Sequence, residues 1–273
     1  MTRRLPNALD KDPPLITVSV VSHGDSQKVL HLLESMGTFE QIDTIQMIVT
    51  DNLGNEIQEI EDTPWESLLV IHNKRRYGFA QNHNHAFQFA KGKYFCLLNP
   101  DVVFTETVFT HLIKRLESNQ ADIIAPLIVD SKGIVQDSFR NIPSPLEIVL
   151  RRLPGYKFDY SIAESTPLIR PEWLSGIFLF IRSDTYRISG GLSEKYRLYF
   201  EDVEFCTRAR LAGLKLGLDT RVFVQHDAHR ASRKKLIYLF WHIQSAIRFF
   251  TSPIYKKALQ MSKEKLLSKR EDV

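Results

Sequence analysis

The sequence predicts an α/β fold built on a Rossmann-like, mostly parallel sheet flanked by helices, and three observations lead there. Short runs of β-branched and aliphatic residues recur over the first 130 positions, and they are apolar throughout, as strands covered on both faces must be. Segments with helical spacing lie between them, which is the alternation of a sheet with crossover helices. Polar clusters close the runs at their carboxyl ends, the edge where open α/β sheets take their ligands.

Ile16 to Ser22 (ITVSVVS) is the first strand, stopped by His23-Gly24-Asp25, and Val29 to Met36 then sets Leu30, Leu33 and Met36 at helical spacing. Ile45 to Thr50 (IQMIVT) is a second strand ending at Asp51-Asn52, and Leu68 to His72 (LLVIH) a third ending at Asn73. Ala80 to Ala90 reads as a helix, and Tyr94 to Leu98 (YFCLL) as a fourth strand running into Asn99-Pro100-Asp101. Val108 to Leu116 is the next helix and Ile123 to Val129 the next strand. Asn141 to Arg170 holds Pro143, Pro145, Pro154 and Pro167 with little periodicity, so a long excursion is expected rather than a domain boundary. Trp173 to Ile181 (WLSGIFLFI) is strand-like, and Val203 to Leu211 is helical with Gly213 as its C-cap. From Leu236 apolar residues fall at 236, 239, 240, 243, 246, 247 and 250, a helical stripe with Lys235, His242 and Arg248 off it. The expected organisation is an N-terminal extension over 1–14, a body over 15–232 and a basic amphipathic helical tail over 233–273.

With 43% hydrophobic and 25% charged residues in 273, the chain can bury a core, which excludes intrinsic disorder. The net charge of +4 is unevenly spread. From Arg230 onward 11 basic residues face 3 acidic ones, a balance of +8, leaving −4 on the preceding residues. Cys96 and Cys206 alone make neither a disulfide framework nor a metal quartet, which points to a reducing compartment. No apolar run reaches the ~18 residues of a spanning helix, and no h-region follows Arg3 and Arg4, so a protein in solution or on a membrane surface is expected.

The sequence lacks G-x-G-x-x-G after the first strand, a P-loop, a G-x-S-x-G elbow and H-E-x-x-H, which removes the main support for dehydrogenase, NTPase, hydrolase and zincin chemistry. The letters HNH at His83 to His85 lie inside a helix without flanking metal ligands and read as structure. What remains is acidic. Asp101 stands at the ligand edge, where one carboxylate plus phosphate oxygens suffices for Mg²⁺ or Mn²⁺. Taken alone, N-P-D is also a common turn. Glu201-Asp202 precedes a helix and could serve as its cap. His226 and His229 in VQHDAH follow a strand-like segment, and one of them could complete a metal site or simply be hydrogen-bonded structure.

In order, VSVVSHG, VTDN, N-x-x-x-YGFAQNHNHA, LLNPD, WLSGIFLFIR, GGLSEKYRLYFEDVEFCTRARLAG and a late histidine resemble the family 2 nucleotide-sugar glycosyltransferases with the GT-A fold, over roughly residues 15–250. Within them, the chain is most similar to bacterial O-antigen rhamnosyltransferases of the WbbL type. The resemblance implies a dTDP-rhamnose donor and a polyprenyl-diphosphate-linked saccharide acceptor in surface polysaccharide synthesis, with Mg²⁺ or Mn²⁺ as cofactor. It places Ser22, Asp51, Gly78, Asn82, Asn99 and Asp101 around the nucleotide sugar, with Asp51 accepting the N3–H of a thymine or uracil. Asp101 is the implied metal ligand, with His226, or its competitor His229, reaching the metal or the diphosphate. Trp173 and Gly176 fall on the acceptor side, and Asp202, preferred over its neighbour Glu201, takes the place of the catalytic base in an inverting single displacement.

Two other classes stay open at this point. A sugar-phosphate nucleotidyltransferase also holds Mg²⁺ on carboxylates, although SHGDSQK is a poor version of its Gly-rich loop. A non-enzymatic protein binding anionic surfaces would make the basic tail the point, but no nucleic-acid motif is present and no nucleic-acid partner is expected. Trp241, Phe249 and Phe250 near Arg233, Lys234, Lys235 and Arg248 form the pattern of an interfacial helix on anionic lipid. A cytoplasmic enzyme, peripheral at the inner face of the cell membrane, is therefore expected.

Overall fold

The computed structural model describes residues 13–57, 64–150, 166–227 and 236–271. The N-terminal half begins with β1 (Ile16–Ser22), α1 (Ser26–Phe39), β2 (Ile45–Asp51), β3 (Leu68–His72), α2 (Phe79–Phe87), β4 (Tyr94–Leu98), β5 (Val102–Val103), α3 (Phe109–Glu117) and β6 (Ile123–Val129). There follow β7 (Phe139–Arg140), α4 (Pro145–Leu150), β8 (Leu168–Ile169), β9 (Trp173–Leu174), β10 (Phe178–Arg182) and α5 (Ser183–Ile188). The chain closes with α6 (Glu201–Leu211), β11 (Leu216–His226), α7 (Leu236–Phe250) and α8 (Pro253–Glu271).

Nine strands form the main sheet in the order β3-β2-β1-β4-β10-β6-β11-β5, with β8 also on β11, and β7 pairs with β9 in a small second sheet. Pairing is parallel through β3, β2, β1 and β4 and again between β6 and β11. β10 runs antiparallel between β4 and β6, so the parallel expectation holds for each half and fails at the seam. The expected single strand from Trp173 to Ile181 is in fact β9, a turn at Ser175 to Ile177, and β10. Its residues are equally apolar on both sides of the turn, so hydrophobicity alone could not show the break.

The uninterrupted apolar runs have the cause anticipated for them. Along β4 and β10, Cys96, Leu98, Phe178 and Phe180 enter one core with α1 and α3, while Phe95, Leu97, Leu179 and Ile181 enter a second core with α5 and α6. β1 differs on its second face, where Thr17 and Ser19 are buried and paired. Thr17 Oγ1 donates to Gln46 Oε1 at 2.7 Å, and Ser19 Oγ lies 2.8 Å from His83 Nδ1. Burial lowers the His83 pKa to about 3, so this imidazole is a neutral core residue, in keeping with the structural reading of HNH.

The stripe beginning at Leu236 becomes two helices. Pro253 cannot continue α7, and Ser252 Oγ accepts the Tyr255 N–H at 3.2 Å to start α8. Ala246, Phe249, Tyr255 and Ala258 are buried, and the first three share the second core with α6. Phe249 is fully buried with ring centroids 5.6 Å from Phe200 and 5.3 Å from Tyr255. Phe249→Ala is expected to cost about 3–5 kcal/mol, measured by urea denaturation. A loss below about 1 kcal/mol would mean that α7 is only loosely attached.

Candidate active site

Parallel register sets the ends of the first three strands side by side: Ser22 opposite Asp51, and Asp51 opposite His72. Ser22 Oγ accepts the Asp25 N–H at 3.2 Å, which fixes the turn after β1. Asp51 is fully buried. Its carboxylate accepts the N–H groups of Leu53, Gly54, Glu56 and Ile57 at 2.8–3.4 Å and lies 3.3 Å from His72 Nδ1. Burial pushes the Asp51 pKa up, but these donors outweigh it and hold the group ionised, below the ordinary aspartate value. The loop after β2 thus occupies the acceptor capacity that the sequence reading assigned to a pyrimidine, and a base would reach this carboxylate only by displacing those amides.

Beside it, amides make a closed network. Asn73 Nδ2 donates to Asn52 Oδ1 at 2.9 Å and to Asn82 Oδ1 at 2.7 Å, while Asn52 exchanges bonds with the Tyr77 backbone at 2.9 and 3.0 Å. The Asn82 side chain is therefore committed to holding the segment before α2. Gly78 begins that helix, and a Cβ there would stand 2.6 Å from the Arg197 carbonyl oxygen. Its lack of a side chain is required by the approach of the chain just ahead of α6. Burial, followed by the charge of Arg76, lowers the pKa of nearby His23, whose ring lies 3.1 Å from Asn52 Nδ2.

Asp101 and His226, far apart in sequence, meet because β5 pairs with the end of β11. Nε2 of His226 is 3.2 Å from Oδ1 of Asp101, and Lys28 Nζ is 3.8 Å from Oδ2. Burial raises the Asp101 pKa, and the His226 and Lys28 contacts more than reverse it, so the carboxylate is ionised. Despite the close contact, Asp101 Oδ1 has no well-directed hydrogen bond, and His226 Nδ1 is buried without one. An orphaned carboxylate oxygen beside an imidazole nitrogen fits a divalent cation that draws its other ligands from phosphate oxygens. No group of three or more metal-binding side chains occurs among the described residues, so protein atoms supply only part of a coordination shell. Asn99 is half-buried and anchored by its backbone N–H to the Ile177 carbonyl at 2.9 Å. His229 lies outside the described residues.

The acidic pair lies against the turn between β9 and β10, whose Ile177 carbonyl also takes the Asn99 N–H. Tyr199 and Phe200 both have positive φ, 69° and 67°, and turn the chain sharply into α6, whose first residues are Glu201 and Asp202. Neither acid is a simple cap, since Phe200 occupies the cap position. Asp202 Oδ2 accepts the Gly176 N–H at 3.0 Å, Oδ1 accepts the Val203 N–H at 2.8 Å, and the Trp173 indole N–H faces it without a well-directed bond. The three residues expected at the acceptor end are therefore in contact. A Cβ on Gly176 would meet the Phe79 ring at 3.2 Å, which ties this turn to the start of α2. Phe79 was missed by the sequence reading, though its place in YGFAQ was the available signal.

Burial raises the Asp202 pKa beyond what its N–H donors can recover, and burial followed by the Asp202 charge raises Glu201 well above the ordinary value. Glu201 Oε2 has no partner. The arrangement keeps Glu201 protonated beside an ionisable Asp202, as neighbouring carboxyls sharing a low-dielectric site do. Groups that bind protons more tightly when folded weaken the fold as they ionise, so stability falls as pH rises from the usual glutamate value of 4.5. Glu201→Gln is expected to flatten the decline of Tm between about pH 5 and 8. A slope equal to the wild type's would remove Glu201 from this account.

A mostly parallel α/β sheet with a carboxylate-imidazole pair and a buried acid pair on its rim is the arrangement of a GT-A glycosyltransferase, and the relatives and solved structures agree. The family model for glycosyl transferase family 2 matches residues 38–188, and the chain belongs to that family. Rhamnosyltransferase WbbL of Escherichia coli is 26% identical over 249 residues, covering 86% of this chain and 92% of its own length. The N-acetylglucosaminyl-diphospho-decaprenol L-rhamnosyltransferase of Mycobacterium tuberculosis is 30% identical over 161 residues, 55% of this chain and 52% of its own length. The chain thus aligns with only about half of that relative. The mannosyltransferase PcManGT from Pyrobaculum calidifontis, solved with GDP-Man and Mn²⁺, shares the fold at a TM-score of 0.61 and 18% identity, covering 92% of this chain and 71% of that one. The expected GT-A fold and glycosyltransferase class are borne out, and the nucleotidyltransferase and non-enzymatic readings give way. No described helix is long and apolar enough to cross a membrane.

Proposed function

We propose that the chain is an inverting rhamnosyltransferase that moves L-rhamnose from dTDP-rhamnose to a polyprenyl-diphosphate-linked saccharide in O-antigen synthesis. The observation that carries the mechanism is the Asp202 carboxylate, its pKa raised by burial, held by the Gly176 and Val203 N–H groups beside Trp173. Two rhamnosyltransferases among the relatives, one named for a diphospho-decaprenol compound, support the sugar and the acceptor class.

In this reaction the acceptor hydroxyl gives its proton to an oxygen of Asp202 while its own oxygen bonds to the anomeric carbon. The bond from that carbon to the diphosphate breaks, dTDP leaves with the electron pair, and the configuration inverts. A base whose pKa has moved toward neutrality takes that proton more readily, a contribution of ~10²- to 10⁴-fold in rate. Trp173 and Gly176 orient the acceptor against Asp202. Asp101 and His226 would hold Mg²⁺ or Mn²⁺, which when bound supplies positive charge for the departing diphosphate. Ser22, Asn82 and Asn99 border the donor, Gly78 stands between it and a cationic cleft that it also lines, and Asp51 serves base recognition by fixing the loop from Leu53 to Ile57. The basic tail keeps the enzyme at the cytoplasmic face of the membrane that carries the acceptor.

The test is a panel of dTDP-, UDP- and GDP-sugars with Mn²⁺ and a polyprenyl-diphosphate-linked N-acetylglucosamine. Transfer of rhamnose with release of dTDP is expected. Release of pyrophosphate, or transfer from another donor only, would overturn the reading.

A further inference from the structure

A second cleft lies apart from the Asp101–His226 pocket and shares no lining residue with it. Its volume is about 280 Å³, and Arg76, Lys195, Arg197 and Arg248 line it with Gly78 and Glu194. Glu194 is already used, accepting from Asn84 Nδ2 at 3.0 Å. Among the described residues none of the four cations is paired with a carboxylate, and all four are exposed. Arg197 is instead steadied by the Trp241 ring, 4.7 Å from its guanidinium carbon. The amino end of α2 opens on the same cleft at Gly78 and adds its dipole to the four charges. Such a concentration of positive charge, left without internal partners, is suited to a multiply charged anion.

One wall of this cleft belongs to α7, through Gln244, Ser245 and Arg248. The same helix turns a different face outward. Leu236, Phe240, Ile243 and Ile247 recur at the i, i+4, i+7 and i+11 spacing of a single stripe and are 85, 58, 48 and 60% exposed. An apolar stripe of this kind in open water is unfavourable unless something apolar covers it. α7 therefore joins a polyanion-binding cleft to an apolar track.

We infer that this cleft is the acceptor's diphosphate subsite and that the outward face of α7 receives the polyprenyl chain attached to it. The inference deepens the acceptor assignment above and rests on it for the identity of the lipid. It separates the two diphosphates of the reaction: the donor's goes to Asp101 and His226, the acceptor's to the four cations. Trp241, at the junction, reports on the occupancy of the cleft.

The experiment titrates the full-length protein with farnesyl diphosphate in EDTA, following tryptophan fluorescence and calorimetry, with farnesol, inorganic pyrophosphate and phosphatidylglycerol liposomes as comparisons. Farnesyl diphosphate should bind saturably, at least about tenfold more tightly than pyrophosphate, and farnesol should not. Lys195→Gln combined with Arg248→Gln should weaken farnesyl diphosphate at least about tenfold and leave dTDP binding with Mn²⁺ unchanged. Equal binding of farnesyl diphosphate by variant and wild type would overturn the assignment. So would a parallel loss of dTDP binding, which would place the donor in the cleft, or loss of liposome binding alone, which would assign it to bilayer headgroups. No sugar is present in the titration, so its outcome is independent of the donor. A chain that binds farnesyl diphosphate but transfers no rhamnose keeps this site and loses the proposed reaction. Unchanged acceptor KM in an active double variant would remove the site alone.

Discussion

The Asp202→Asn enzyme is expected to transfer sugar ~10²- to 10⁴-fold more slowly while binding dTDP and Mn²⁺ as the wild type does. Asparagine fills the same space, and its carbonyl oxygen can still accept the Gly176 N–H that now holds Oδ2 at 3.0 Å. What it cannot do is take a proton from the acceptor. Removing the charge also relieves Glu201, while the amide NH2 now faces the Val203 N–H that Oδ1 accepts at 2.8 Å, so the variant's stability should fall less steeply as pH rises. Glu201→Gln provides the contrast. If Glu201 is the protonated member of the pair, its amide analogue retains most of the turnover. Product formation and dTDP titration on the same preparations decide the matter, and full turnover by Asp202→Asn would remove that residue from the role.

Asp101→Ala should produce the opposite division: donor affinity collapses, and the base is untouched. With the carboxylate gone, the His226 imidazole has lost the anionic partner with which it would share a cation. The loss of Mn²⁺-dependent dTDP binding should reach roughly a hundredfold, since even groups that only support metal ligands are worth 10- to 100-fold. In EDTA the variant and wild type should bind dTDP alike, because the missing contribution is the cation's. His226→Gln should fall between them. An unchanged titration of Asp101→Ala with dTDP and Mn²⁺ would contradict the assignment.

The first half of the fold was legible because each strand is a compact apolar run ended by turn-forming residues. Ile16–Ser22, Leu68–His72, Tyr94–Leu98 and Ile123–Val129 have the bounds read from sequence. The direction of β10 was not legible, since the choice between parallel and antiparallel pairing is made by the path of the intervening chain and leaves no trace in side-chain periodicity. The same limit applies to the site. The resemblance implied that Asp101 would share a metal with His226 or His229 and that Trp173, Gly176 and Asp202 would serve the acceptor, and the structure brings the first pair and the last three together. That Asp51 is enclosed by four backbone N–H groups did not, because a main-chain donor has no letter of its own. The cationic cleft was hidden for a related reason: positions 76, 195 and 197 look like ordinary solvated charges, and Arg248 like part of a lipid-facing helix, until the fold collects them.

The turn at Tyr199 and Phe200 bears on how the tail can be studied. Two bulky residues in the left-handed region cost about 1–3 kcal/mol each, and the Phe200 ring is held by Phe249 at 5.6 Å and Phe250 at 5.7 Å. The segment expected to touch lipid is therefore also the counterweight that keeps the proton acceptor aimed. A truncation that removes α7 cannot separate membrane attachment from catalysis, because it disarms both at once. Surface substitutions at Phe240 and Ile247, which leave Phe249 in place, are the cleaner instrument.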